Sequence, residues 1–265
     1  MYLKHFALTR YPFSKEIEAD ALFGSSASTE LETRLGHLIE LRGMGLITGE
    51  SGSGKTTVCR KVVSKLHVGL YRVFYVTNST GHVMDLYKAI AWELGLPVER
   101  SRAALYRVIC AEVTRLCLET HMRPVLVIDE AQLLRSDVLD ELRLLTNYEM
   151  DSMNRLCLVL VGHPELRRRL GMAVHEAINQ RIVVRHHVPG LTQQEVGDYL
   201  RHLLRLAGRE TPLFEAAAVL AIFQASGGLP RKVGLLAHHA LIAAALAQAQ
   251  IATAEHVQAA LSEVS

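Results

Sequence analysis

One short loop limits what this chain can become. Gly49-Glu50-Ser51-Gly52-Ser53-Gly54-Lys55-Thr56 fits the phosphate-cradling pattern G-x-x-x-x-G-K-[ST] at every fixed position. Such a loop works only between a strand and a helix, and both are written around it. Met44-Gly45-Leu46-Ile47-Thr48 is an apolar run that reads as a buried strand, and Thr57-Val58-Cys59-Arg60-Lys61-Val62-Val63 carries apolar residues at helical spacing. Glycines let the backbone bend so that successive N–H groups point at phosphate oxygens, and the helix start adds the positive end of its dipole. Lys55 then reaches the outer phosphates, and the Thr56 hydroxyl holds a magnesium ion.

The rest of the chain supplies a sheet for that loop. Apolar segments at Gly45–Thr48, Val73–Val76, Val125–Asp129, Leu156–Gly162 and Ile182–His186 read as strands. Helical patterns lie between them, at Val83–Leu94, Ala103–Glu119, Asp137–Tyr148 and Glu165–Asn179. This alternation predicts a three-layer α/β fold, a parallel sheet with helices on both faces. Near-continuous Val, Leu and Ile predicts strands buried on both sides. After Pro189-Gly190 the pattern changes: Thr192-Gln193-Gln194-Glu195 is a capping box opening a helix through about Leu206. Everything beyond reads as helix, punctuated by Pro212, Gly227-Gly228 and Pro230. A length of 265 residues exceeds one typical core. The expected division is an α/β domain at 1–189 and a small all-helical domain at 190–265.

Composition narrows the partners. Net charge is only +2, so no global basic field announces nucleic acid and any such surface is local. The N-terminus lacks the apolar core of a signal peptide, and no stretch reaches the roughly 18 apolar residues of a membrane span. The nearest, residues 235–249, is interrupted by His238, His239 and Gln248. Cys59, Cys110, Cys117 and Cys157 form no Cys-x-x-Cys pair and sit in apolar runs, the pattern of reduced, buried thiols in a cytoplasmic protein. The pairs His186-His187 and His238-His239 make no chelating face, because neighbours in a strand point to opposite sides and neighbours on a helix diverge by about 100°.

A phosphate cradle needs a second half-site. Pro124-Val125-Leu126-Val127-Ile128-Asp129-Glu130 is an apolar strand ending in two acids, so Asp129 falls at the carboxyl edge of the sheet, where it can hold magnesium through a water. Glu130 can orient or deprotonate an attacking water. The next strand ends at His163, a polar group at the same edge suited to sensing a terminal phosphate, with Asn147 a second candidate for that task. Arg181 directly precedes the last strand, from where it would point toward a neighbouring subunit's nucleotide. Arg231, in the first turn of a helix after Gly227-Gly228-Leu229-Pro230, sits where cations are unfavourable unless an anion holds them.

These residues resemble the AAA+ ATPases, in particular an ExeA-like and TniB/TnsC-like bacterial branch. The resemblance runs from Phe6-Ala7-Leu8-Thr9-Arg10-Tyr11-Pro12-Phe13 through Gly54-Lys55-Thr56-Thr57, Asp129-Glu130-Ala131-Gln132 and Val161-Gly162-His163-Pro164-Glu165-Leu166 to Gly228-Leu229-Pro230-Arg231. It implies ATP and Mg2+ bound by Gly49 through Thr57, with Thr56 and Asp129 on the metal. It implies an adenine pocket lined by Tyr11, Pro12 and Phe13, hydrolysis through Glu130, His163 as first sensor in place of a more usual glutamine, Arg181 as trans arginine finger, and Arg231 as second sensor. Assembly into rings or filaments, with nucleotide between subunits, follows from the same likeness.

Within the branch two biologies compete. ExeA-type secretion proteins continue into a membrane span and a peptidoglycan-binding region, whereas this sequence ends at Ser265. It therefore looks more like the stand-alone transposition helpers, cytoplasmic proteins that assemble on double-stranded DNA without sequence preference and present it to a transposase. Thr77-Asn78-Ser79-Thr80-Gly81-His82 and Arg167-Arg168-Arg169 are the candidate phosphate-backbone contacts. A helicase would need a second nucleotide-gripping domain, a small-molecule kinase would transfer to an acceptor other than water, and an ATP-gated scaffold would use hydrolysis only to reset assembly.

Overall fold

The computed structural model describes residues 2–14, 16–77 and 82–264; residues 78–81, and with them most of the Thr77–His82 candidate loop, lie outside the described residues. The elements run α1 (Tyr2–His5), α2 (Ser26–Leu41), β1 (Met44–Gly49), α3 (Lys55–Ser64), β2 (Tyr71–Thr77), α4 (Val83–Leu94), α5 (Arg102–Leu118), β3 (Arg123–Asp129) and α6 (Ser136–Leu145). They continue with β4 (Cys157–Gly162), α7 (Pro164–Leu170), α8 (Glu176–Asn179), β5 (Ile182–Val188), α9 (Gln193–Leu206), α10 (Ala216–Ser226), α11 (Pro230–Leu246) and α12 (Ala254–Val264). The chain divides into two compact units, one of Thr29–Gly49 and Lys55–Val188, the other of Met1–Ser28, Glu50–Gly54 and Pro189–Ser265.

The first unit is a three-layer α/β fold. Its sheet has the order β2-β3-β4-β1-β5 with every neighbouring pair parallel. Period-two alternation sends successive residues to opposite cores. On one face Leu46, Phe74, Val76, Leu126, Ile128, Leu158 and Leu160 pack under α4, α5 and α6. On the other, Ile47, Val125, Val127, Val159 and Val161 pack under α2 and α3. Burial on both sides holds for β1 and β4 throughout and for β3 beyond Arg123. The outer strands β2 and β5 instead alternate buried and exposed positions, because each has a neighbour on one flank only. A second difference concerns the helical pattern at 165–179. Gly171 ends α7, a 3₁₀ turn at Ala173–His175 follows, and α8 is a separate short helix.

The second unit is helical, and it takes the first 28 residues away from the domain to which the sequence pattern assigned them. Tyr2, Phe6 and Leu8 are buried with Val196, Leu200 and Leu204 of α9 and Val233, Leu236 and Ala237 of α11. Polar ties accompany that burial: the Thr9 N–H donates to the Ala207 carbonyl at 3.0 Å, Arg209 Nη1 donates to the Phe6 carbonyl at 3.1 Å, and the Tyr2 hydroxyl meets His238 Nδ1 at 3.0 Å. The capping box of α9 forms as the sequence requires, with the Glu195 N–H on Thr192 Oγ1 at 3.3 Å and the Thr192 N–H on Glu195 Oε2 at 2.9 Å. Glu195 Oε1 also accepts the Ser26 N–H at 2.8 Å, so one carboxylate closes two helix starts.

Candidate nucleotide site

All strands of a parallel sheet end at one edge, so β1, β3 and β4 deliver Gly49, Asp129 and Gly162 to the same side. Lys55, the first residue of α3, is only 8% exposed, and its Nζ donates to the Gly49 carbonyl at 2.8 Å. A buried ammonium requires such acceptors. Thr56 Oγ1 donates to Asp129 Oδ2 at 2.7 Å, and the Glu130 N–H donates to the other oxygen, Oδ1, at 2.8 Å. The Tyr75 hydroxyl of β2 joins Thr56 on Oδ2, also at 2.7 Å. Asp129 is thus buried and held by three donors. A hydroxyl and a carboxylate side by side are the hard oxygen donors that magnesium takes, so Thr56 and Asp129 fit that ion.

Partial desolvation of its hydroxyl, and then the bond to Asp129, push the Tyr75 phenol far above its ordinary range. Burial, followed by the Asp129 charge, pushes the Cys59 thiol up to about 12, and burial alone does the same for Cys157. Neither is a nucleophile at neutral pH. Tyr75 escapes sequence reasoning because nothing in the pattern of β2 separates its outward tyrosine from any other exposed edge residue.

Glu130 takes a left-handed backbone, φ 54° and ψ 34°, at the turn from β3 into a 3₁₀ segment, Ala131–Leu133. Its Oε2 accepts from Gln132 Nε2 at 2.6 Å, and Gln132 Oε1 accepts the His163 N–H at 3.0 Å. The structure therefore brings Lys55, Thr56, Asp129, Glu130 and His163 to one edge. Asn147 is not there: it follows the end of α6, beside Thr146, where β4 has yet to begin.

The loop residues Glu50–Gly54 belong to the helical unit. Gly52 and Gly54 adopt φ of 80° and 95°, which side-chain-bearing residues avoid. The Ser53 N–H bonds the Glu50 carbonyl at 3.1 Å, closing the turn. Arg231, second in α11 after Pro230, donates its N–H to the Gly52 carbonyl at 3.3 Å and its Nη1 to Ser51 Oγ at 3.4 Å. A Cβ on Gly52 would stand 2.7 Å from that of Arg231, so this glycine serves both conformation and contact. Of the candidate adenine residues, Pro12 is buried and the Phe13 ring packs 6.5 Å from that of Phe214, whereas Tyr11 is 47% exposed and edge-on to Tyr2.

Arg181 lies at the other edge of the sheet, where strands begin, three strands across from β3, which ends at Asp129. Its Nη2 pairs with Asp151 Oδ2 at 2.7 Å, and its Nη1 reaches Thr146 Oγ1 at 3.4 Å. The triplet Arg167-Arg168-Arg169 splits. Arg169 donates to the carbonyls of Gln132 and Leu134 at 3.1 and 2.6 Å, while Arg167 and Arg168 line an open cleft of about 530 Å³ with His187.

A phosphate loop on a five-stranded parallel sheet of this order, with an acid-ended strand one place removed from it, defines a P-loop ATPase fold of the AAA+ kind. Residues 39–170 match the AAA domain family. The chain belongs to the AAA family of ATPases. It is 36% identical over 247 residues to general secretion pathway protein A of Aeromonas hydrophila, over 92% of this chain and 45% of that protein, so it spans less than half the length of that relative. This similarity supports the ExeA-like branch. Among solved structures, Cdc6p of Pyrobaculum aerophilum is similar with a TM-score of 0.72 at 20% identity, over 96% of this chain and 70% of that one. The ORC1 protein of Aeropyrum pernix in complex with DNA is similar with a TM-score of 0.68 at 20% identity, over 97% and 69%. At such identity the likeness is one of fold.

Proposed function

We propose that this chain hydrolyses ATP to ADP and phosphate and that the nucleotide governs its assembly with further copies of itself. The observation that carries the reading is the division of labour at the end of β3: Asp129 is buried and accepts from Thr56, Tyr75 and the Glu130 N–H, whereas Glu130 is exposed and accepts from Gln132 through Oε2. Lys55 and the loop N–H groups bind the phosphates. Thr56 and Asp129 would hold magnesium, whose charge offsets that of the phosphates. Glu130 takes a proton from water as the water oxygen forms its bond to the γ-phosphorus. The bond from that phosphorus to the bridging oxygen breaks, its electron pair leaves with ADP, and the proton passes to the released phosphate. His163 and Arg231 act as sensors, Tyr11, Pro12 and Phe13 as the adenine wall, and Arg181 as the arginine offered to a neighbour.

The test is turnover by the purified chain. Glu130→Gln is expected to lose about 100-fold or more in kcat while still binding ATP, as for loss of a general base; Lys55→Ala is expected to lose binding. Undiminished turnover in Glu130→Gln would overturn the assignment.

As to biological role, the 36% identity across 92% of the chain favours an ATPase module of the kind found in general secretion pathway protein A over the transposition helper that the sequence ending suggested. Among the described residues no helix is long and apolar enough to cross a membrane. A second reading keeps the helper role in the cytoplasm, with self-assembly on double-stranded DNA and a transposase as partner. It draws on the fold shared with the DNA-bound ORC1 protein and on the cleft at Arg167 and Arg168. Electron microscopy with duplex DNA and a non-hydrolysable ATP analogue separates the two: nucleotide-dependent filaments or rings on DNA favour the helper, and their absence favours the secretion role.

A further inference from the structure

We infer that Gln132 is the positioning residue of Glu130, fixing the carboxylate in place and tying it to the end of β4; this rests on the hydrolysis reading above. The side-chain amide spans two groups. Oε1 accepts the His163 N–H at 3.0 Å and Nε2 donates to Glu130 Oε2 at 2.6 Å. The reverse orientation would set a carbonyl oxygen against a carboxylate and an NH2 against an N–H, two repulsions in place of two bonds, so the orientation is dictated by its partners.

The surroundings are built to hold that amide. Arg169 donates to the carbonyls of Gln132 and Leu134, and the Leu133 N–H returns to the Glu130 carbonyl at 2.9 Å, so the 3₁₀ segment is anchored from α7 and from itself. The last residue of β4 is Gly162. A Cβ there would stand 2.7 Å from Gln132 Oε1, so only glycine leaves the amide room to lie against the strand end. Glu130 is exposed and its own bonds are rotatable; without Gln132 its carboxylate would sample several rotamers. With one oxygen held by the amide, the other is the one available to water. The same amide carries any shift of His163, the residue at the phosphate-facing end of β4, directly to the base.

The experiment uses the full chain and its Gln132→Ala, Gln132→Asn and Gln132→Glu variants, with steady-state ATP hydrolysis, affinity for a non-hydrolysable ATP analogue, and hydrogen exchange at the His163 amide. Asparagine is one methylene too short to span both partners. Glutamate keeps the acceptor for His163 but loses the donor to Glu130. All three are expected to lose about 10- to 100-fold in kcat, the cost of a misplaced reacting group, with KM and analogue affinity within about 2-fold. Exchange at His163 is expected to quicken in Gln132→Ala and to stay slow in Gln132→Glu, which also serves if the alanine variant folds poorly. A kcat within about 3-fold of wild type in the folded variants, or a loss confined to KM, overturns the inference alone. Wild-type turnover no greater than that of Glu130→Gln overturns the hydrolysis reading and this inference with it.

Discussion

The two edges of the sheet carry the same kinds of residue and hold them in opposite ways. Where the strands end, Asp129 takes three donors and Glu130 is linked through Gln132 to His163, so each functional group has partners that are themselves anchored. Where the strands begin, Arg181 is held chiefly by Asp151, whose side chain is 56% exposed, with a long contact to Thr146. A half-exposed ion pair of this kind contributes about 0–1 kcal/mol. The first edge holds its groups through several anchored partners, the second through one exposed acid and one long contact. The role proposed for Arg181 requires that weaker hold, because the contacts an arginine leaves must cost less than those it gains.

The largest effect expected from this contrast is in Arg181→Ala. Under conditions of assembly it is expected to lower turnover by about 10³-fold, the scale of a trans arginine, while leaving ATP affinity of the dilute chain unchanged. Mixing Arg181→Ala with Glu130→Gln sharpens the point. Each supplies what the other lacks, so mixed assemblies should recover turnover that neither shows alone; failure to recover any would place Arg181 in its own subunit's chemistry or outside chemistry altogether. Next in size is Tyr75→Phe. It removes one of two donors on Asp129 Oδ2 without changing ring volume, and about 3- to 10-fold more magnesium should be needed for half-maximal turnover, on the order of one ordinary hydrogen bond. An unchanged magnesium requirement would mean that Thr56 and the Glu130 N–H suffice.

How far the chain could be read beforehand differs between the same regions. The loop, the strand before it, the acid-ended strand and the capping box of α9 are local patterns, each fixed by a few consecutive residues, and the structure reproduces them within a residue or two. What the pattern missed is set by partners far away in sequence. Tyr2 and Phe6 look like any apolar N-terminus until α9 and α11 bury them. Tyr75 lies 54 residues from the carboxylate it serves. Gln132 was visible in Asp129-Glu130-Ala131-Gln132, but only as a mark of resemblance; its work depends on the His163 N–H and on the bare Cα of Gly162, both 30 or so residues on. The run 165–179 shows the converse error. Its apolar spacing continues through Gly171, yet the glycine N–H returns to the Arg167 and Arg168 carbonyls and the helix stops.

Smaller effects test the looser edge. Asp151→Ala should cost at most about 1 kcal/mol in stability, measured by chemical unfolding, because its partner is already in contact with Thr146 and solvent. In an assembly it should raise turnover at low protein concentration by about 2- to 5-fold, since Arg181 would no longer have to leave an acid. A fall in turnover would instead make Asp151 part of the neighbour's contact.

The smallest effect concerns the strain beside it. Glu149, Met150 and Asp151 take consecutive φ values of 50°, 54° and 70°, and Met150 at the tip is fully exposed. Each such residue costs on the order of 1 kcal/mol where glycine would cost little. Met150→Gly loses no buried surface but gains unfolded-chain entropy that offsets part of the relief, so a net stabilisation of about 0.5 kcal/mol and a rise in Tm of about 1–2 °C are expected. Glu130 has the same φ of 54° at the opposite edge. There the strain cannot be relieved by glycine without removing the carboxylate, whereas the Met150 side chain is fully exposed. If Met150→Gly gains stability as a dilute chain yet weakens nucleotide-dependent assembly, the strained tip is maintained for contact with another copy, and the looser edge is loose because it meets a partner.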